Sequence, residues 1–219
     1  YDTGILYADT HVGKLLQSLE EHGILEDTAI IITSDHGESQ GELNVWGDHQ
    51  SADETICRVP LIISWPGVGG KNRVDEAIHY HFDWTATLLE LAGAKVPENW
   101  DGRSFADSFV NQQANGREFV VTSQAAWSCQ RGIRFDDQGK RYICIRTYHD
   151  GHKDFAPVSL YCLDDDPHEE HSLAADRPDL VEKAMALLSE WMHQQMKTAT
   201  SDVDPMMTVL KEGGPYHTR

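Results

Sequence analysis

The sequence has few positive charges and no long apolar run. Its 219 residues include 18 Lys and Arg against 36 Asp and Glu, which gives a formal net charge of −18 at pH 7. This charge repels nucleic acids and anionic membrane surfaces, so neither is expected as the main partner, although a local cationic pocket stays open. The longest apolar runs, such as residues 29–32, are far too short to span a bilayer, so no transmembrane segment is expected.

The sequence also lacks the usual signatures of a self-contained catalytic or redox centre. It contains no Gly-rich phosphate loop, no G-x-S-x-G elbow and no catalytic cysteine motif, so no nucleophile can be named from it. Its four cysteines, Cys57, Cys129, Cys144 and Cys162, form no CxxC pair, which argues against a zinc knuckle or a redox motif. Buried free thiols are favoured over one or two disulfides, and the compartment stays open between periplasmic or secreted and cytoplasmic.

What the sequence does contain is typical of a globular chain. Hydrophobic residues make up 40% and charged residues 25% of it, so one substantial domain, or a core with a small subdomain, is expected. It opens at Tyr1 without a charged-then-apolar leader, as expected where a targeting segment is absent or already removed.

The first half of the sequence has the alternation of an α/β fold. Apolar residues recur every three or four positions over residues 5–19, which predicts a helix, and residues 28–33 form a continuous β-branched run. Such a run is typical of a strand buried on both faces of a parallel sheet. A second core strand is predicted over residues 59–63, and a helix capped by Asp83 over residues 84–91.

The pattern changes after Gly116. Short β-rich pieces then alternate with turn residues, and the clearest turn, residues 136–139, predicts a hairpin. A helix with one apolar side is predicted to begin at Pro178 and to cover the resulting sheet. We therefore predict an α/β part over residues 1–117 and a small α+β subdomain over 118–219, with an antiparallel sheet and a C-terminal helix.

Asp35 and His36 directly follow the β-branched run, at the edge where open α/β sheets place their sites. Their carboxylate oxygen and imidazole nitrogen are common ligands of one divalent cation, and Gly37 allows the sharp turn that would aim both side chains at it. Two alternatives stay open: Asp35 caps a following helix, and His36 is an ordinary hydrogen-bonded surface histidine.

Two further polar clusters contain histidine. His49, which follows Asp48, could donate a hydrogen bond to an anionic substrate or protonate a leaving group, although solvated loop histidines are commoner. Residues 164–171 combine three aspartates with a His-Glu-Glu-His run, but they have neither EF-hand spacing nor the spacing of a zincin helix. They are therefore predicted to form a solvated turn.

Six segments carry a further signal through their order along the chain. One is Thr33-Ser34-Asp35-His36-Gly37-Glu38, which contains the candidate ligands. The others are residues 7–16, 58–67, 83–93, 101–104, and 160–167 with 172–174. Together they resemble the carboxy-terminal half of a sulfatase in the alkaline phosphatase superfamily. The resemblance implies part of an alkaline-phosphatase-like sheet sandwiched by helices.

The resemblance also implies a hydrolase of sulfate esters. In that family a divalent cation, usually Ca²⁺ with Mn²⁺ or Zn²⁺ as alternatives, holds the sulfate against a formylglycine nucleophile made from Cys or Ser. Asp35 and His36 would be the metal ligands. The family usually has a Lys near the position of Asp48 and His49, and this sequence has none there. His49 is therefore the candidate catalytic residue that contacts the sulfate or assists the leaving group.

The family's nucleophile motif, Cys or Ser followed by x-Pro/Ala-x-Arg, occurs nowhere in the sequence. The resemblance implies that this piece is inactive alone and needs the amino-terminal half of the same protein, with a sulfated small molecule or carbohydrate as substrate. Trp46 and Trp127 could stack on a sugar ring or pack against the core. Two alternatives stay open: a phosphodiesterase or phosphonate monoester hydrolase of the same superfamily, and a non-catalytic module that has lost the site.

Overall fold

A computed structural model of the chain describes residues 1–68, 72–111, 113 and 115–215. The elements of the first part are, in chain order, α1 (Asp2–Glu21), β1 (Ile30–Thr33), β2 (Ser39–Gln40), β3 (Trp46–Asp48), α2 (Glu54–Cys57), β4 (Leu61–Ser64), α3 (Asp83–Leu91) and α4 (Ala106–Val110). Helix α1 ends where Gly23, at φ +68°, donates its N–H to the carbonyl of Glu20. None of the α1 residues is buried, so this helix lies on the surface of the chain.

Strand β1 pairs with β4 in an antiparallel ladder that places Ile31 opposite Ile63. The α/β character is confirmed, but the parallel pairing expected for this strand is wrong. The pairing is antiparallel, and Ile32 is 37% exposed. The reason is that a β-branched run favours a strand without fixing the direction of its partner or the layer that covers it.

The second part is a four-stranded antiparallel meander covered by a helix. Its elements are β5 (Phe119–Gln124), β6 (Cys129–Asp137), β7 (Lys140–His149), β8 (Val158–Cys162), α5 (Pro178–Thr198) and α6 (Pro205–Lys211), and the strands lie in sequence order. Leu180, Ala184 and Leu188 of α5 share a buried core with Ile133 and Phe135 of β6. The predicted antiparallel sheet and C-terminal helix are confirmed.

A buried ion pair joins α3 to Arg117, the last residue of the first part. Asp83, predicted as a helix cap, is instead the first residue of α3, and its carboxylate accepts a hydrogen bond of 2.7 Å from Arg117 Nε. Burial opposes ionisation of Asp83, but Arg117 and two backbone N–H donors outweigh it and lower the pKa of Asp83. The predicted boundary between residues 117 and 118 is crossed by the hydrogen bond of 3.2 Å from Tyr80 Oη to the Val121 carbonyl, and it stays a prediction.

The four cysteines are free thiols, as the sequence favoured. Burial raises the pKa of Cys57 and of Cys144 to about 12, so both are unreactive at neutral pH. Among the described residues, no helix has the length and apolar content needed to cross a membrane.

Candidate functional site

The candidate metal ligands lie side by side on the loop that leaves β1. The Asp35 carboxylate accepts a hydrogen bond of 3.0 Å from the His36 N–H, and this bond holds the pKa of Asp35 below its usual value. His36 Nε2 lies 3.8 Å from Asp35 Oδ2. The side chains are 87% exposed for Asp35 and 45% exposed for His36, so solvent reaches both.

The contact of His36 Nδ1 shows which nitrogen of the ring carries the proton. Nδ1 lies 2.8 Å from the carbonyl oxygen of Gly37, and because a carbonyl only accepts, Nδ1 carries the proton. Nε2 then keeps its lone pair and is the nitrogen available to a cation. The helix-cap alternative for Asp35 is wrong, because residues 36–41 are non-helical.

Close backbone contact holds this loop against α2. The Gly37 N–H donates to the carbonyl of Ile56 at 2.8 Å, and Ser34 Oγ donates to the carbonyl of His36 at 2.8 Å. A Cβ at position 37 would lie 1.9 Å from the carbonyl oxygen of Thr55, so the loop fits in this place only with glycine. The sequence predicted Gly37 for a sharp turn, and the structure adds this close approach as a second reason.

The third predicted site residue, His49, stacks on His36. The two ring centroids are 4.2 Å apart and the ring planes are 28° from parallel. His49 directly follows β3, and its N–H donates to Asp48 Oδ1 at 2.8 Å while its Nδ1 lies 3.6 Å from the same oxygen. The structure therefore brings Asp35, His36 and His49 together and adds Asp48 as the partner of His49.

Asp35 and His36 fit part of the coordination sphere of a divalent cation. Ligand atoms that share an ion at about 2.0–2.6 Å lie about 3–4 Å apart, and the two candidate atoms are separated by 3.8 Å. Ca²⁺ takes about six to eight ligands, so one carboxylate and one imidazole are an incomplete set.

A second group with ligand chemistry lies elsewhere among the described residues. Ligand atoms of Asp166, Glu170 and His171 lie within 4.8 Å of one another. The Asp166 carboxylate, however, already accepts the N–H of Glu170 at 3.0 Å and that of His171 at 2.8 Å. This group is therefore a capped turn, in agreement with the prediction for these three residues.

Glu169 departs from the predicted solvated turn, since it is only 3% exposed. Its Oε1 accepts a hydrogen bond of 2.8 Å from the Glu54 N–H at the start of α2. Burial, followed by the negative charge of nearby Asp53, raises the pKa of Glu169 to about 8. The charge pattern gave no sign of this burial, because it depends on a contact between residues 115 positions apart.

Glu169→Gln is expected to stabilise the protein at alkaline pH. A carboxyl whose pKa is about 8 when folded and about 4.5 when unfolded adds stability below pH 4.5 that is lost as the pH rises to 8. The glutamine amide keeps an acceptor for the Glu54 N–H but does not ionise. The variant therefore avoids the loss of unfolding free energy at high pH, which is on the order of several kcal/mol. Thermal unfolding midpoints of the complete protein between about pH 5 and pH 9 measure the difference.

The control for this comparison is Glu170→Gln, the same chemical change at an exposed neighbouring position. Its midpoints are expected to follow those of the wild type at every pH. If Glu169→Gln also ran parallel to the wild type, Glu169 would be ionised in the folded protein at neutral pH, contrary to the burial described above.

Comparison with known proteins finds relatives of the region that contains this site. Residues 1–94, which include Asp35, His36 and His49, match the sulfatase family. We call residues 1–94 the sulfatase segment. This sulfatase segment, with the residues that follow it, is 28% identical over 217 residues to an N-acetylglucosamine-6-O-sulfatase of Bacteroides thetaiotaomicron, a match that covers 97% of the chain and 38% of the relative. It is 36% identical over 216 residues to a choline-sulfatase of Rhizobium meliloti, covering 97% of the chain and 39% of the relative.

Solved structures share the fold of the sulfatase segment and its C-terminal sheet. A protein in complex with its substrate D-glucosamine-2-N,6-O-disulfate superposes with a TM-score of 0.75 at 28% identity, covering 92% of the chain and 40% of that protein. A putative sulfatase from Bacteroides thetaiotaomicron superposes with a TM-score of 0.72 at 22% identity, covering 90% and 44%. The resemblance to sulfatases is confirmed, and the chain spans about two fifths of the length of the relatives it matches.

Proposed function

We propose that the complete protein hydrolyses sulfate esters at the site that contains Asp35, His36 and His49. The observation that carries the proposal is that these three side chains lie together inside the sulfatase segment. Asp35 Oδ2 lies 3.8 Å from His36 Nε2, and the ring centroids of His36 and His49 are 4.2 Å apart. A carboxylate and an imidazole suit a cation, and a second imidazole beside them suits the anion that the cation would hold.

Asp35 Oδ2 and His36 Nε2 hold the cation in this proposal. The resemblance to sulfatases favours Ca²⁺, with Mn²⁺ and Zn²⁺ as alternatives, and the Asp35 carboxylate suits all three ions. The bound cation would supply charge neutralisation at the sulfate oxygens. His49 donates a ring N–H to a sulfate oxygen or to the oxygen of the departing alcohol.

The amino-terminal half of the same protein completes the site. Asp35 and His36 offer two donors, and the family's formylglycine nucleophile, made from Cys or Ser, would come from that half. Exposed apolar side chains on this chain support the idea, since Leu15 on α1 and Ile62 on β4 are both open to solvent. Large apolar side chains that are exposed on one chain favour a covering layer of protein.

The proposed substrate is a sulfated small molecule or carbohydrate. Two relatives are named for N-acetylglucosamine sulfate and for choline sulfate. Trp46 lies two residues before Asp48 on β3 and is 74% exposed, so its ring is available to stack on a sugar or on an alkylammonium group. Trp127 is only partly exposed.

Turnover of an aryl sulfate by the complete protein tests the proposal. We expect hydrolysis that a chelator abolishes and added Ca²⁺ restores, and no turnover by residues 1–219 alone. Turnover by the isolated chain would contradict the requirement for the amino-terminal half.

A phosphodiesterase or phosphonate monoester hydrolase activity is the second candidate. The chain is 29% identical over 194 residues to a protein of Trinickia caryophylli that is named as a multifunctional member of the alkaline phosphatase superfamily, PehA, so another activity of that superfamily is a candidate. A bis-aryl phosphate assayed beside the aryl sulfate separates the two activities. Faster hydrolysis of the diester would favour this candidate, and failure to hydrolyse either ester would favour a non-catalytic module.

A further inference from the structure

The sheet of the second part forms hydrogen bonds to the backbone of residues 49–52, the segment that begins at His49. Four side chains from β5, β6 and the turn between them bond to residues 49–52. Gln124 Nε2 donates to the His49 carbonyl at 2.9 Å, and Ser128 Oγ donates to the Gln50 carbonyl at 2.8 Å. Ala52 is held at both of its backbone polar groups. Its carbonyl accepts from Thr122 Oγ1 at 3.1 Å, and its N–H donates to Gln130 Oε1 at 3.1 Å. The short segment is thus fixed at four of its backbone polar groups.

This contact is buried and closely packed. Ala52, Ser128 and Gln130 are all buried. A Cβ at Gly132 of β6 would lie 2.4 Å from the carbonyl oxygen of Ala52, so glycine allows the two backbones to approach. Any shift of the segment would leave buried polar groups without partners, which costs about 1–3 kcal/mol for each group.

Gln124 is the member of this set that bonds to His49 itself. Its Oε1 accepts a hydrogen bond of 2.9 Å from the Ala126 N–H, which fixes the amide so that Nε2 faces the His49 carbonyl. On the other side, Asp48 Oδ1 accepts the His49 N–H at 2.8 Å. The backbone of His49 is therefore held at its N–H and at its carbonyl, while its ring packs on His36.

We infer that Gln124 is a positioning residue for the reaction, which acts by holding His49 beside His36. The inference rests on the proposed function and extends it, since it gives the sheet of the second part a role in the site of the first. A displacement of about 1 Å at a reacting group costs about 100-fold in rate. Because Asp48 still holds the N–H of His49, loss of the Gln124 bond is expected to cost less than this.

The test uses Gln124→Met in the complete protein with an aryl sulfate as substrate. We expect kcat to fall about tenfold while KM stays within about twofold, because the cation and the other contacts to the sulfate are unchanged. Gln124→Glu keeps the acceptor for the Ala126 N–H but cannot donate to the His49 carbonyl, so a similar loss is expected. In a His49→Ala background, Gln124→Met is expected to change kcat by less than about twofold.

The double variant separates positioning from general stability. A positioning residue acts only through His49, whereas a residue that merely stabilises the fold lowers kcat in both backgrounds. Gln194→Met on α5 is the matched control, since the exposed Gln194 amide bonds to Glu190, and it is expected to keep wild-type kcat. Unchanged kcat in Gln124→Met, or equal losses in both backgrounds, would overturn the inference alone. Absence of turnover in the wild-type protein would overturn the proposed function, and the inference with it.

Discussion

Asp35→Asn is expected to lower kcat/KM of the complete protein on a sulfate ester by roughly 1,000-fold. The amide keeps the size of the side chain and an acceptor for the His36 N–H, but it removes the charge that attracts a cation. A metal ion acting as a Lewis acid supplies several kcal/mol, and about 4 kcal/mol corresponds to this loss because about 1.4 kcal/mol is tenfold in rate. Metal content of the dialysed protein, measured by mass spectrometry, is expected to fall together with the activity.

Asp176→Asn is the matched control for this variant, because Asp176 is an exposed aspartate in the turn before α5. It is expected to keep wild-type activity and metal content. Retention of both by Asp35→Asn would contradict the assignment of Asp35 as a ligand. Loss of activity with unchanged metal content would mean that the carboxylate acts in another way.

The candidate ligands Asp35 and His36 could be predicted because neighbouring residues of the sequence are enough to place them together. Asp35 and His36 directly follow a β-branched run, and adjacent positions after a strand necessarily share one loop. His49 lies 13 residues after His36 along the chain, and its stacking on His36 depends on how the β2–β3 hairpin folds back. The sequence therefore indicated the chemistry of His49, whereas its contact with His36 needed the structure.

The features that sequence analysis missed depend on distant contacts. Gly37 must be glycine because of Thr55, and Glu169 is buried because it bonds at the start of α2. A parallel sheet was expected around the β-branched run, whereas β1 pairs with β4 in the antiparallel sense, because β propensity describes a strand and not its partner. The meander over β5–β8 was predicted correctly because each of its strands pairs with the next strand along the chain.

The distant contacts of Gly37 and Glu169 both reach α2, which Asp53 caps. The Gly37 N–H bonds to α2, Glu169 Oε1 accepts the N–H at its first residue, and the Asp53 carboxylate accepts the Ile56 N–H at 3.0 Å. The loop with Asp35 and His36 and the segment after His49 are thus supported by the same short helix. A change at one of these contacts is therefore expected to alter the geometry of the whole site.

Gly37→Ala is expected to produce the largest effect of this kind, with a loss of about 100-fold in kcat/KM. The new methyl group would lie 1.9 Å from the Thr55 carbonyl oxygen, so either the loop or α2 must move. Such overpacking costs about 1–3 kcal/mol, and the movement displaces Asp35 and His36 from His49. Kinetics on an aryl sulfate and thermal unfolding midpoints of the complete protein measure both effects.

Gly4→Ala is the control that isolates the contact from the general effect of replacing glycine. Gly4 lies inside α1, and a methyl group added there would have no neighbouring atom within 4 Å. Alanine is therefore expected to gain about 0.5–1 kcal/mol of helix stability at this position without changing activity. The two variants should move the unfolding midpoint in opposite directions. If Gly37→Ala kept wild-type kinetics and stability, the close approach to Thr55 would not fix the position of the ligand loop, and the support of the site by α2 would have to be abandoned.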